Sequence, residues 1–144
     1  HYRSHSFPTR RSSDLIAAAP DFTEDYFWSN FSNMQKSELL SSGRIFLPSD
    51  YDEPYPITLK LIEDGRNHLI FKKPLIVQCP LRMLQGTDDN SVEIETATKL
   101  LDHINCENMR LTLVAAADHS FSSPTCLKLL QQTIYELIIE VGLS

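Results

Sequence analysis

Two adjacent carboxylates, Asp88 and Asp89, and one imidazole further along, His119, are the side chains here best spaced for acid–base chemistry. A short apolar run, Leu81 to Leu84, starts behind Pro80 and gives out at Gly86, and the carboxylates follow at once. A buried strand that stops at Gly and delivers Asp into a loop sets an acid at the rim of a parallel sheet. A second strand-like run, Met109 to Val114, leads to Asp118-His119-Ser120. Consecutive strand ends thus carry an Asp and then a His. By pattern alone, a surface-loop histidine accounts for His119 as well as a catalytic one does, and a turn-forming role suits Asp88.

The elements that must position these residues are legible on both sides. After Val92, Ile94, Ala97, Leu100, Leu101 and Ile104 recur at three- and four-residue steps and predict a helix between the two strands. Ser123-Pro124 supplies an N-cap and a first-turn proline for a last helix. Its expected buried stripe is Leu127, Leu130, Ile134, Leu137, Ile138 and Val141, and Gly142 ends it. Strand, helix, strand, helix over 75–144 implies two parallel, adjacent strands, because a parallel pair needs a crossover of this length.

Upstream, Ile16 to Pro20 reads as a strand end running into a loop. Asp21 or Thr23 is expected to cap an aromatic-rich helix through Phe31, and Gly43 to end a helix begun near Met34. Arg44 to Leu47 reads as a brief strand, and residues 49–56 as an irregular loop. Ile57 to Asp64 reads as a helix stopped by Gly65, with Ile57, Leu61 and Ile62 on one side and an exposed pair between Glu63 and Arg66.

Gly86, Asp89 and Val92 fit the acid-loop pattern Gly-x-x-Asp-x-x-Val-Pro, with Glu93 where Pro is usual, and Asp118-His119 fits a histidine loop after the last strand. In this order the two resemble the C-terminal part of the α/β-hydrolase family, whose triad runs Ser, Asp/Glu, His. Pro-Tyr-x-Ile-Thr-x-x-Leu-Ile-Glu-Asp-Gly-Arg, from Pro54 to Arg66, and Cys-Pro-x-Arg-x-Leu-Gln-Gly, from Cys79 to Gly86, are similar to one branch of it. That branch holds bacterial serine hydrolases and mitochondrial acyl-protein thioesterases, also described as acyl-glucuronide esterases. The resemblance implies an α/β fold with a parallel sheet flanked by helices and a lid-like insertion over 21–74. It implies hydrolysis of small-molecule esters or acylated proteins without a cofactor. His119 would be the general base and Asp89 the acid that holds its tautomer, with Asp88 the competitor one residue away. Asp118 reads as a local turn carboxylate, His103 as a solvent-facing helix residue, and His68 as a residue of the insertion.

The family's nucleophile elbow, Gly-x-Ser-x-Gly, needs two glycines four apart around its serine. The only glycines are Gly43, Gly65, Gly86 and Gly142, so this sequence contains no such elbow. The expectation is a C-terminal piece of a larger hydrolase, residues 16–144, without its nucleophile and inactive as written. Two other readings stay open: a non-catalytic binding domain on the same scaffold, and a dehalogenase- or epoxide-hydrolase-like relative with an Asp nucleophile.

Composition narrows the field further. A chain of 144 residues, 42% hydrophobic, suits one domain with a modest core. The net charge of -6, and no basic patch with interleaved aromatics, argue against a nucleic-acid surface. No run approaches a membrane span. Cys79, Cys106 and Cys126 fit neither a zinc motif nor a disulfide framework. Free thiols suggest a reducing compartment, read here as cytoplasmic. Residues 5–15 resemble the in-frame translation of a common short-read sequencing adapter, so residues 1–15 are expected to be a non-native or disordered tail.

Overall fold

The computed structural model describes residues 12–48 and 53–142. They form two compact units: Pro20–Lys73, and the flanking segments 12–19 with 74–142. In chain order the elements are β1 (Ser13–Ile16), a π-helical turn (Thr23–Trp28), α1 (Asn33–Ser42), β2 (Arg44–Leu47), β3 (Tyr55–Thr58) and α2 (Leu59–Asn67). They continue with β4 (Leu75–Ile76), β5 (Leu81–Gly86), α3 (Ile94–His103), β6 (Ile104–Asn105), β7 (Met109–Val114) and α4 (Pro124–Glu140).

The flanking unit is built on β5. It lies between β1 and β7, and both pairings are parallel, with Leu81 opposite Ser13 and Met109. Every residue of β5 is buried, as expected of a central strand covered on both faces. Alternation then divides its side chains. Leu84 joins Ala117, Phe121 and Cys126 in a cluster on the α4 side. Arg82, of the same parity, reaches Glu140 at the last turn of α4 at 2.5 Å. Gln85 points the other way, toward the backbone of Val92 at the approach to α3.

Upstream of this ladder, β4 and β6 form a second, two-residue parallel pair. Its register offset exceeds that of β5 and β7 by one residue, so the β4–β5 link carries one residue more than the β6–β7 link. That is the count of a β-bulge within the link that ends at Pro80, a residue with no N–H to give to a ladder.

The Pro20–Lys73 unit packs Phe31, Leu39, Ile45, Ile57 and Ile62 into its own core. Helix α1 closes on Gly43 in the left-handed region, as its sequence predicts, and opens on a complete capping box between Ser32 and Gln35 that the sequence reading did not name. The antiparallel pair β2–β3 follows.

Several expectations need correction. Gly65 lies inside α2 and does not end it. A Cβ there would stand 2.1 Å from Oγ1 of Thr23, so the glycine serves close packing. Thr23 is buried by that contact, and the π-helical turn has no side-chain cap. Asp21 accepts instead from the backbone N–H groups of Ile70 and Phe71, at 2.6 and 3.1 Å. Arg66 pairs with Glu24 at 2.7 Å, not with Glu63. The irregular loop read over 49–56 lies partly outside the described residues, and Tyr55 and Pro56 belong to β3.

In α4 the buried positions are Cys126, Thr133 and Leu137, while Leu127 and Ile134 are exposed. Leu137 of the expected stripe is buried, but the docking face is turned toward Cys126 and Thr133, with Cys126 packed against Leu84 and Phe121. At the other end of the chain, Ser13, Asp14 and Leu15 are strand residues, within the segment whose sequence reads as a non-native or disordered tail. Residues 1–11 lie outside the described residues.

Candidate active site

The C-terminal ends of β5 and β7 are laced together by their outgoing loops. Thr87 N–H donates to Val114 O at 2.9 Å and Asp88 N–H to Ala117 O at 3.0 Å. Ala116 N–H returns a bond to Thr87 Oγ1 at 2.9 Å. Ala116 and Phe121 both adopt positive φ, bending the second loop sharply around His119. Buried Ala117 and Phe121 anchor that loop on either side of the histidine. The Asp118 carboxylate accepts from Ser120 Oγ and Phe121 N–H and so braces the bend from within.

At the end of the first loop, the side chain of Asp89 is fully buried. Its Oδ1 accepts from the N–H groups of Ser91 and Val92, at 2.8 and 2.9 Å. Its Oδ2 takes the Gln85 amide at 3.0 Å and faces Nδ1 of His119 at 3.1 Å. Burial acts to raise the pKa of this carboxyl, but the bonds from Val92, Ser91, His119 and Gln85 together outweigh it and hold it below the usual carboxylate range. Asp89 is therefore ionised at neutral pH. The His119 side chain is 53% exposed, so its ring has one edge on a fixed anion and the rest open to solvent.

An ionised, immobilised carboxylate on Nδ1 selects the tautomer that carries its proton there and leaves Nε2 free to accept one. Asp88 is not in this arrangement; its side chain is exposed and its backbone N–H is spent on Ala117. Asp118 is the turn carboxylate the sequence suggests. His68 lies in the other unit, exposed and 3.9 Å from Asp64. His103 is half-buried in the last turn of α3. Sequence reasoning missed Gln85, which is 1% exposed. The signal was available: an amide inside an apolar strand, four residues before the acid.

Among the described residues, no group of three His, Cys, Asp or Glu side chains gathers that could hold a metal. Among the same residues, no helix is long and apolar enough to cross a membrane. A cavity of about 510 Å³ opens at the opposite, N-terminal ends of β5 and β7, around the bulge and the half-buried Cys79 and Cys106.

Comparison with known proteins bears on this geometry. No protein-family profile matches the chain. It is similar to the mitochondrial palmitoyl-protein thioesterase ABHD10 of Bos taurus, 30% identical over 105 residues, which cover 72% of this chain and 34% of that protein. The Rattus norvegicus protein of that name is 30% identical over 125 residues, covering 85% and 42%. Among solved structures, a presumed hydrolase from Agrobacterium vitis S4 superposes with a TM-score of 0.83 at 33% identity, over 88% of this chain and 49% of that one. Mouse alpha/beta hydrolase domain-containing protein 10 superposes with a TM-score of 0.78 at 26% identity, over 90% and 52%. The chain thus spans roughly a third to two fifths of these curated relatives and about half of the solved ones. The fold is that of an α/β hydrolase, and the chain is similar in sequence to hydrolases that share it. The cytoplasmic expectation is corrected: the relatives are mitochondrial proteins. Free thiols speak for a reducing compartment and do not separate the cytosol from an organelle interior.

Proposed function

We propose that this chain carries the acid and the base of a serine hydrolase that cleaves carboxylic esters or acyl-thioesters in mitochondria, with acylated proteins among its substrates. The observation that carries the reading is the buried, ionised Asp89 at 3.1 Å from Nδ1 of the half-open His119. The similarity to palmitoyl-protein thioesterases supports the substrate class.

In this reading His119 Nε2 takes the proton of a serine hydroxyl as its oxygen bonds to the acyl carbon. It returns that proton to the departing alcohol or thiol as the carbon–oxygen or carbon–sulfur bond breaks. Water then repeats the exchange: His119 takes its proton as the water oxygen bonds to the acyl carbon, returns that proton to the serine oxygen as the serine–acyl bond breaks, and the acid product leaves. Asp89 stays ionised throughout and offsets the charge of the imidazolium. These 144 residues contain no Gly-x-Ser-x-Gly elbow, so the polypeptide on its own is expected to be inactive. The segment Pro20–Lys73, inserted between β1 and β4, has the sequence position of a substrate-covering lid.

The test uses the natural gene product that contains residues 16–142. Turnover of p-nitrophenyl butyrate and of a palmitoyl-thioester is expected, together with labelling by a fluorophosphonate, which reports an activated serine. A product that hydrolyses neither substrate overturns the reading. Hydrolysis without labelling moves the nucleophile from Ser to Asp.

A further inference from the structure

We infer that Gln85 is a positioning residue for the Asp89–His119 pair, fixing by its amide the one oxygen that the histidine reads; this rests on the hydrolase reading of that pair. Gln85 is almost wholly enclosed in the central strand, where neighbouring Leu81, Met83 and Leu84 are apolar. Its Nε2 lies 3.0 Å from Asp89 Oδ2, 3.0 Å from Val92 O and 3.2 Å from Gly86 O. All three are acceptors, so the amide must present its NH₂ there; the flipped amide would aim an oxygen at three oxygens.

The other end of the amide supplies an independent argument. Oε1 of Gln85 is buried and has no hydrogen-bond partner among the described residues. An unpaired buried acceptor is costly, and a position needed only for packing would be filled better by Leu or Met. The residue holds its polar group for what Nε2 does. By donating to both Asp89 and Val92 O, the amide ties the carboxylate to the backbone segment whose N–H groups hold Oδ1. Asp89 is thereby clamped on both oxygens, and Oδ2 is left one direction in which to accept, toward His119.

The amide therefore acts through Asp89 and touches no reacting atom. Removing it frees Oδ2 to turn from the imidazole, weakens the ionised form of Asp89 and loosens the Nδ1 proton. Packing alone predicts none of these.

The experiment is NMR on the isotope-labelled chain, following the Asp89 carboxyl carbon through a pH titration and the exchange of the His119 Nδ1 proton with water. Gln85→Met keeps the volume and removes the donor. The titration of Asp89 is expected to move up toward the ordinary carboxylate range, and Nδ1 proton exchange to quicken about tenfold or more. Gln85→Glu is nearly isosteric and donates only while its new carboxyl is protonated. In that variant the slow-exchanging proton is expected in acid and lost as pH rises, a dependence the wild-type pair lacks over the same range. If Gln85→Met does not fold, the Gln85→Glu profile decides. Wild-type behaviour of Asp89 and of the proton in either folded variant overturns the inference. A wild-type chain in which Asp89 titrates as a free carboxyl and the proton exchanges freely overturns the pairing of Asp89 with His119 itself.

Discussion

A side chain on Gly86 has no room because the carbonyl of Ala117 is already there: a Cβ would stand 2.1 Å from that oxygen. This glycine is where the acid loop and the histidine loop touch, and the Asp88-to-Ala117 bond is made beside it. Gly86→Ala is expected to push the two loops apart, destabilise the chain by about 1–3 kcal/mol and break the Asp89–His119 contact. Thermal melting and the His119 Nδ1 proton signal measure the two effects. An alanine variant with both unchanged would mean the loops are not held by this contact.

Activity in the complete gene product should separate the two adjacent carboxylates. His119→Ala is expected to remove nearly all turnover, and Asp89→Asn to cost about 10³–10⁴-fold in kcat, as in triads whose acid is neutralised. Asp88→Asn should cost little, since its side chain lies in solvent. Steady-state kinetics on both ester and thioester check this; a crippled Asp88 variant beside a mild Asp89 variant would reassign the acid.

Asp89 also ties stability to pH. Its folded pKa is depressed, so its ionised form contributes stability that is present above the unfolded value of about 3.9 and lost as pH falls through the folded value. Melting temperature against pH should drop on the acid side, and Asp89→Asn should flatten that drop while lowering stability at neutral pH. An unchanged acid limb in the variant would contradict the assignment.

Asp14 has the opposite sign. Burial raises its pKa, the Arg82 charge only partly counters this, and both carboxyl oxygens are buried without a hydrogen-bond partner among the described residues. Its neutral form is the one the fold prefers, so stability is greatest below the unfolded pKa and is lost as pH rises through the folded one. Asp14→Val is expected to raise the melting temperature at neutral pH, with the gain shrinking in acid. A gain independent of pH would point to strand propensity alone.

The same residue sits in the stretch that resembles a sequencing adapter. If residues 5–15 are such a translation, long-read genomic sequence across Leu15 and Ile16 should encode other residues there. Contiguous genomic coding of the present peptide would refute that origin.

The parts of the molecule legible in its sequence were those where one signal stood alone. β5, α3 and β7 were bounded by Pro80, Gly86 and a clean helical period, whereas the two strand ends offered Asp88, Asp89 and His119 together and only the family pattern favoured Asp89 and a catalytic His119. Legibility failed where two signals competed. Gly65 looked like a helix stop but makes room for Thr23, a contact far away in sequence. Asp21 looked like a helix cap but is spent on the N–H groups of Ile70 and Phe71. Gln85 drew no reading at all, because its partners lie on a loop whose path the sequence does not state.

The bond between Arg82 and Glu140 makes α4 a lever. The helix is 17 residues long, about 26 Å, clamped at its far end to the first half of β5 by a buried guanidinium. Its near end begins at Ser123, just beyond the loop that carries His119. With such an arm, a tilt of about two degrees at the clamp moves the near end by about 1 Å, enough to open or close a hydrogen bond. The foot of the lever lies on β5, and the acid of the pair stands on the loop that follows that strand. The near end is held too, by Cys126 packed against Leu84 and Phe121, so the two anchorages of α4 on β5 together fix where the histidine loop ends and the helix begins.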